Sequence, residues 1–523
     1  MSSGVRQFIV LATAVTALAA PGLAVAGPIP YQFIAKTYSE ALGRATDIGG
    51  WNASVARFGS GCNLTTARAQ ANFIFGSAEY SGRAYTNPQK VMTLYRALLN
   101  RDPDPGGLST WTSYFNSGHT MSDTITQLTA SYEFVNHVLP AICGVVSYTF
   151  GPFAPPPLPV TGSGYQGSEA GLQSLLNATA TGQTVFLAQD ANIYLNTQLT
   201  IPAGVTLATT GFPTIFEYAK QARLVRQFQT TSGGPAVAIS GGGALKSVWV
   251  DGQRSVSFVF KLLDINIAML GGTGTTVDNV RSTNTTGWTS LFAAGSDGRL
   301  SGGIYGSHPC SANKITNSFV TGYQAAHNDS TWGDGISIGC EDTTVTNNGV
   351  IDATDVGIIL FEGWTATQKS QVTGNMVLSA GLSAYAAYAM DPLTTGDGGL
   401  ASYSFAGAAI SNNNYWTGGD THFDIGLAVG TRAWFGNSSS RGIGGSFVNN
   451  STQDIAARVD TGIAIGGMSN VTVTGNTTNF SLVNSNNCPN VKIAAAVSAG
   501  WASGTIQGPY TDVDFPSCIT GGR

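Results

Sequence analysis

Short apolar runs broken by Asn and Gly recur along most of the chain. Between Lys314 and Gly363 one pattern occurs twice. An apolar residue, Thr and Asn come first (Ile315-Thr316-Asn317, then Val345-Thr346-Asn347). A Gly with alternating apolar positions follows (Gly335-Ile336-Ser337-Ile338, then Gly357-Ile358-Ile359-Leu360). β-Branched runs punctuated by Asn and Gly are strand and tight-turn chemistry. The first element recurs from Val277, Ile315, Val345, Val372, Ile410, Phe447 and Val473, in steps of 38, 30, 27, 38, 37 and 26 residues. Such repetition predicts stacked coils rather than one closed core, and a solenoid absorbs unequal steps as loops on one face. Aligning Gly335 with Gly357 points Ile336, Ile338, Ile358 and Leu360 inward and Ser337, Ile359 and Asp355 outward, with Asp334 at the corner before its strand. The second element returns as Asp424-Ile425-Gly426-Leu427 and Asp460-Thr461-Gly462-Ile463.

These repeats resemble those of the pectate-lyase-like superfamily over roughly residues 165 to 480. The resemblance implies a mainly β protein, a right-handed parallel β-helix. It implies no single activity, because that fold carries lyases, hydrolases, epimerases and adhesins.

The pattern upstream is helical. Tyr95 to Leu99 has helix formers at helical spacing, Asn100 to Gly107 breaks the run, and Leu108 to Phe115 restarts it with Ser109 as the expected cap. The segment repeats, since Tyr38 and Gly50 mirror Tyr95 and Gly107. The run LYRALLNRDPDPGGLSTWTSYFNSG closely resembles the helical repeat known as domain of unknown function 4214, which occurs in exported bacterial proteins. That resemblance implies a bacterial source and a surface or accessory role, without chemistry. Arg101 and Asp102 are expected to fix the turn.

Four segments follow from these readings. Residues 1–26 read as a signal peptide, with Arg6, an apolar stretch and Ala24-Val25-Ala26 before the cleavage point. Residues 27–146 form a small all-α domain of two related repeats, and 147–163 a Pro-rich linker. Residues 164–523 form the β-helix, with a short helix around Leu172–Leu176 covering its first coil. Asp251-Gly252 reads as a turn.

Charged residues make up only 10% of the chain, Gly numbers 67 and the net charge is −5. This suits a turn-rich extracellular β protein and gives no basic face for nucleic acid. Locality pairs the six cysteines as Cys62–Cys143, Cys310–Cys340 and Cys488–Cys518, the second stapling neighbouring coils.

Glycan hydrolysis needs two spaced carboxylates. Elimination needs a base and a charge sink such as Ca²⁺. The densest cluster of suitable groups is His327, Asp329, Trp332, Asp334, Glu341 and Asp342 with Asp352, Asp355, Glu362 and Trp364. Asp334 and Glu362 are the expected acid and base, supported by Asp355 and His327. Trp332, Trp364, Lys369, Arg432 and Tyr388 are the expected substrate contacts. A second group holds Tyr385, Tyr388, Asp391, Asp397, His422 and Arg432. Asp355, Asp424 and Asp460, each two residues before a Gly, also read as a column of turn formers. No metal motif of defined spacing is present, so no resident cofactor is expected beyond the Ca²⁺ that elimination would call for. The catalytic signatures of polygalacturonase-like hydrolases and pectate lyases are absent. The sequence therefore reads as an exported bacterial polysaccharide-active protein, a glycan lyase or hydrolase. The competing reading is a non-catalytic cell-surface or adhesion protein with a rigid β-helix and a helical attachment module. A polymer epimerase is the third.

Overall fold

The computed structural model describes residues 28–145, 158–229, 233–253, 261, 263–294, 310–322, 332–363, 367–392, 403–430, 441–453, 455, 457–477, 480–483, 490–493, 502–508 and 511–513. Three sheets of parallel strands run along the C-terminal part, with 13, 8 and 12 strands among these residues. One coil contributes a strand to each sheet in turn. Lys314–Thr316, Phe319–Thr321 and Asp334–Ile338 make one coil, and Thr344–Thr346, Gly349–Ile351 and Val356–Phe361 the next. The chain is thus a parallel β-helix preceded by a helical domain. The pairings Ile315↔Val345 and Ile336↔Ile358 confirm the alignment of the repeats. Ile336, Ile338, Ile358 and Leu360 lie in one core that runs the length of the solenoid.

The corner between the first and second sheets shows why the Asn pattern exists. The third residue of each triplet adopts positive φ, as in Asn317, Asn347, Asn412 and Asn449, and Gly takes that place at 374 and 475. Asn tolerates this left-handed region better than other side chains, and Gly best of all. The next residue points inward and forms a ladder. Asn348, Asn375, Asn413 and Asn450 each accept the backbone N–H of the residue one coil back and donate to a carbonyl of the first sheet. The ladder ends through Asn476 and Gln507.

The helix Glu169–Ala178, capped by Ser168, lies over the first coil and buries Leu172 and Leu176. Disulfides join Cys62 to Cys143 and Cys310 to Cys340. The third expected pair, Cys488 and Cys518, lies outside the described residues.

The helical domain spans helices from Tyr31 to Ile142, and its two repeats superpose in chemistry. Asp47 and Asp104 each cap a helix by accepting from Gly50 and Gly107. Arg44 pairs with Glu79 as Arg101 pairs with Glu133. Asp104, not Ser109, is therefore the cap, and Pro105-Gly106-Gly107 form the first turn of Pro105–Asn116 rather than a break. Pro suits that position because its missing N–H would have no partner there.

This domain packs onto the outer face of the second sheet. Its core is continuous with Tyr218, Trp249, Phe319, Leu378 and Trp416 of the β-helix. Between them lies a buried ionic network. Glu40 binds Arg96 and Arg281, and Asp102 binds Arg96 and Arg223. Asp251 ends the strand Val248–Asp251, makes the expected turn by accepting the Gln253 backbone N–H, and also bonds Arg223 and Asn284, so it is a turn residue and an ion-pair residue at once. The guanidiniums of Arg223 and Arg96 stand 3.9 and 4.6 Å from the Trp249 ring. Burial works to raise the Glu40 carboxyl, but Arg281, Arg96 and Lys36 outweigh it and hold it well below the usual carboxylate range.

Candidate functional site

The third sheet carries the acids on its outer side. Ala386 pairs with Val356 and Ile425, and Ile425 with Thr461. One position earlier, Asp355, Tyr385, Asp424 and Asp460 therefore stand in line across four coils, about 4.8 Å apart per step. Asp424 and Asp460 lie inside the strands Phe423–Val429 and Ala457–Ile465. They are strand residues, not the turn formers the spacing suggested. Both are buried, at 2% exposure each, while Asp355 is partly exposed.

His422 completes the group. Its Nε2 lies 3.3 Å from an Asp424 carboxylate oxygen, and its Nδ1 lies 3.1 Å from the Ser383 hydroxyl. Ser383 also accepts the His422 backbone N–H, which fixes the residue ahead of its strand. One ligand-capable atom from each of His422, Asp424 and Asp460 falls within 4.8 Å of the others. Nitrogen and carboxylate donors so close could hold a divalent cation. Trp332 approaches the Tyr385 ring edge-on, with centroids 6.3 Å apart, which brings an aromatic wall to the same place.

The expected acid–base pair does not assemble. Asp334 begins its strand level with Val356, whereas Glu362 follows the end of Val356–Phe361. Six residues at about 3.3 Å each separate the two by roughly 20 Å along the strand direction. Carboxyl groups sharing one glycosidic bond stand no more than about 9.5 Å apart. Asp334 is also buried and committed, since it accepts from the Val356 N–H and the Ser337 hydroxyl. Glu362 lies at the far end of the sheet, where burial, then Glu341 and Glu362, push the Tyr403 phenol up.

Tyr388 is the second correction. It pairs in register with Ile358 and Leu427, sits wholly inside the coil, and donates to the Asn414 carbonyl. Burial raises its phenol well above the ordinary value. It is a core residue, three positions from Tyr385, which does face the site. Lys369 is exposed on the turn leading to the first sheet, against Gly407 and away from the line of acids. His327, Trp364 and Arg432 lie outside the described residues.

Tyr385, Asp424 and Asp460 were absent from the expected catalytic set. The signal was the repeated Asp two positions before Gly. It was read as turn chemistry, and Tyr385 was not joined to it because that coil carries Tyr where its neighbours carry Asp.

Comparison with known proteins adds a domain match and three structural likenesses. Residues 71–138 match the domain of unknown function DUF4214. No curated protein matches the sequence. Among solved structures, the chain is similar to an alginate lyase from Paenibacillus sp. str. FPU-7, at 14% identity and a TM-score of 0.34, covering 61% of this chain and 95% of that one. It is similar to the A-module of the mannuronan C-5 epimerase AlgE6 from Azotobacter vinelandii, at 13% identity and a TM-score of 0.26, covering 59% and 94%. It is also similar to the surface protein and adhesin PfbA of Streptococcus pneumoniae, at 12% identity and a TM-score of 0.26, covering 61% and 94%. Likeness at these scores assigns no residue a role.

Proposed function

We propose that the protein is an exported bacterial polysaccharide-active enzyme that cleaves an acidic glycan by elimination at the line Asp355, Tyr385, Asp424 and Asp460, with His422 beside it. The observation that carries this is the convergence of His422, Asp424 and Asp460 within 4.8 Å, with Tyr385 on the next coil. Elimination removes the proton next to a uronate carboxylate and expels the neighbouring glycosidic oxygen. It needs a cation to stabilise charge on that carboxylate and a group to move protons. The three clustered residues would hold the cation, Tyr385 would move the proton, and Trp332 would pack on a sugar ring. Asp424 and Asp460 stand closer than the roughly 6.5 Å or more that an inverting hydrolase keeps for its water. The two disulfides fit an oxidising, extracytoplasmic compartment. Among the described residues no helix is long and apolar enough to cross a membrane.

The test incubates the full chain with soluble polyuronates, with Ca²⁺ and after chelation, and follows unsaturated ends and reducing ends together. Cation-dependent unsaturated ends are expected, and Tyr385→Phe should lower kcat by about 10²-fold or more with the fold retained. Reducing ends without unsaturation would replace elimination by hydrolysis. No product from any polyuronate would leave a surface protein whose acids serve structure.

A further inference from the structure

A cleft of about 330 Å³ lies between the helical domain and the second sheet, on a different face from the line of acids. Its origin is visible in the sheet register. The outward column runs Trp249, Arg281, Phe319, Gly349, Met376, Asn414. At Gly349 the column lacks a side chain, and a Cβ there would meet the Phe319 ring at 2.7 Å. The gap is roofed by the segment Arg44–Ile48 of the helical domain.

Two side chains lining this cleft are buried and incompletely bonded. The Trp416 indole N–H and the Thr46 hydroxyl have no hydrogen-bond partner, although Trp416 is 1% exposed and Thr46 fully buried. Unpaired buried polar groups are costly, and a ligand that bonded these two would relieve both. Phe319 and Met376 supply apolar walls, and Gln453 stands at the rim, bonded to Asn414. Among the described residues, the only charges lining the cleft are Arg44 and Asp47, which pair with each other, Arg44 also being held by Glu79.

We infer that this cleft is a binding site for a neutral saccharide unit, completed only when the helical domain is docked. A neutral sugar offers hydroxyls to an indole N–H and a Thr hydroxyl, and C–H faces to an aromatic wall. The satisfied Arg44 leaves little for a phosphate or carboxylate to bind. The volume falls within the range of small-ligand pockets. The inference goes beyond the elimination reading and does not rest on it.

The experiment measures binding of neutral gluco-, manno-, galacto- and xylo-oligosaccharides to the full chain by ligand-observed NMR and calorimetry. At least one should bind. Thr46→Val should weaken it more than tenfold while leaving the melting temperature unchanged or raised, because it removes an unpaired polar group at constant volume, and Trp416→Phe should weaken it as much at a lower melting temperature, because the smaller ring opens a void in the buried core. Should either variant fail to fold by circular dichroism, Gln453→Ala at the exposed rim should still weaken binding. Asp424→Asn, in the proposed reaction site, should leave this binding unchanged, which separates the two sites. Failure of every neutral saccharide, binding of acidic ones alone, or undiminished affinity in the folded variants would overturn the inference.

Discussion

Tyr385 and Tyr388 show how much one residue's direction decides. They lie three apart in one strand, both buried, yet the first stands in line with Asp355 and Asp424 while the second points between Ile358 and Leu427. The Tyr388 hydroxyl donates to the Asn414 carbonyl at 3.0 Å. Tyr388→Phe is therefore expected to cost about 1 kcal/mol of stability, the loss of one buried hydrogen bond, and to leave glycan turnover untouched. Denaturant melts beside activity assays check this. A loss of turnover at unchanged stability would return Tyr388 to the site.

At the scale of the element, the Asn ladder and the left-handed corner residues are adjacent in sequence and opposite in demand. Asn413 accepts from the Asn375 N–H and donates to the Val372 carbonyl, so Asn413→Ala strands both groups inside the coil. The expected cost is on the order of 2–4 kcal/mol. Asn412, at φ 55°, occupies the place that Gly374 fills one coil earlier, so Asn412→Gly should change stability by no more than about 0.5 kcal/mol. Thermal melts of the two variants side by side test the difference, and equal losses would refute it. The repeat of apolar residue, Thr and Asn made the strands and the coil spacing legible in the sequence, because period and turn chemistry are local. The inward direction of Asn348, Asn413 and Asn450 was not, since each follows another Asn, which places two amides side by side, and only the register says which turns in. The candidate site was legible in part for the same reason. Asp355, Asp424 and Asp460 form a visible column, but Asp334 and Glu362 seem near only along the chain. Their separation follows from the strand that lies between them.

At the scale of the molecule, the helical domain is fixed to the β-helix rather than tethered to it. The sequence suggested a module on a Pro-rich linker, since nothing local reveals that Glu40, Arg96 and Asp102 meet Arg223, Asp251 and Arg281 across 121 or more residues. Such pairs are built from desolvated charges, so removing one partner leaves another uncompensated, typically at a cost of about 3–5 kcal/mol. Glu40→Gln should thus loosen the helical domain at neutral pH. The sign of its pH dependence follows from the depressed Glu40 carboxyl. The stability it contributes is complete above the ordinary glutamate range near pH 4.3, and is lost only as pH falls through the lower folded value. Wild type and Glu40→Gln should therefore differ most at neutral pH and converge in strong acid. Limited proteolysis of the helical domain across a pH series reads this directly. If the two proteins were cut equally at pH 7, the apolar core around Tyr218, Trp249 and Phe319, and not the ionic network, would be what holds the domain in place.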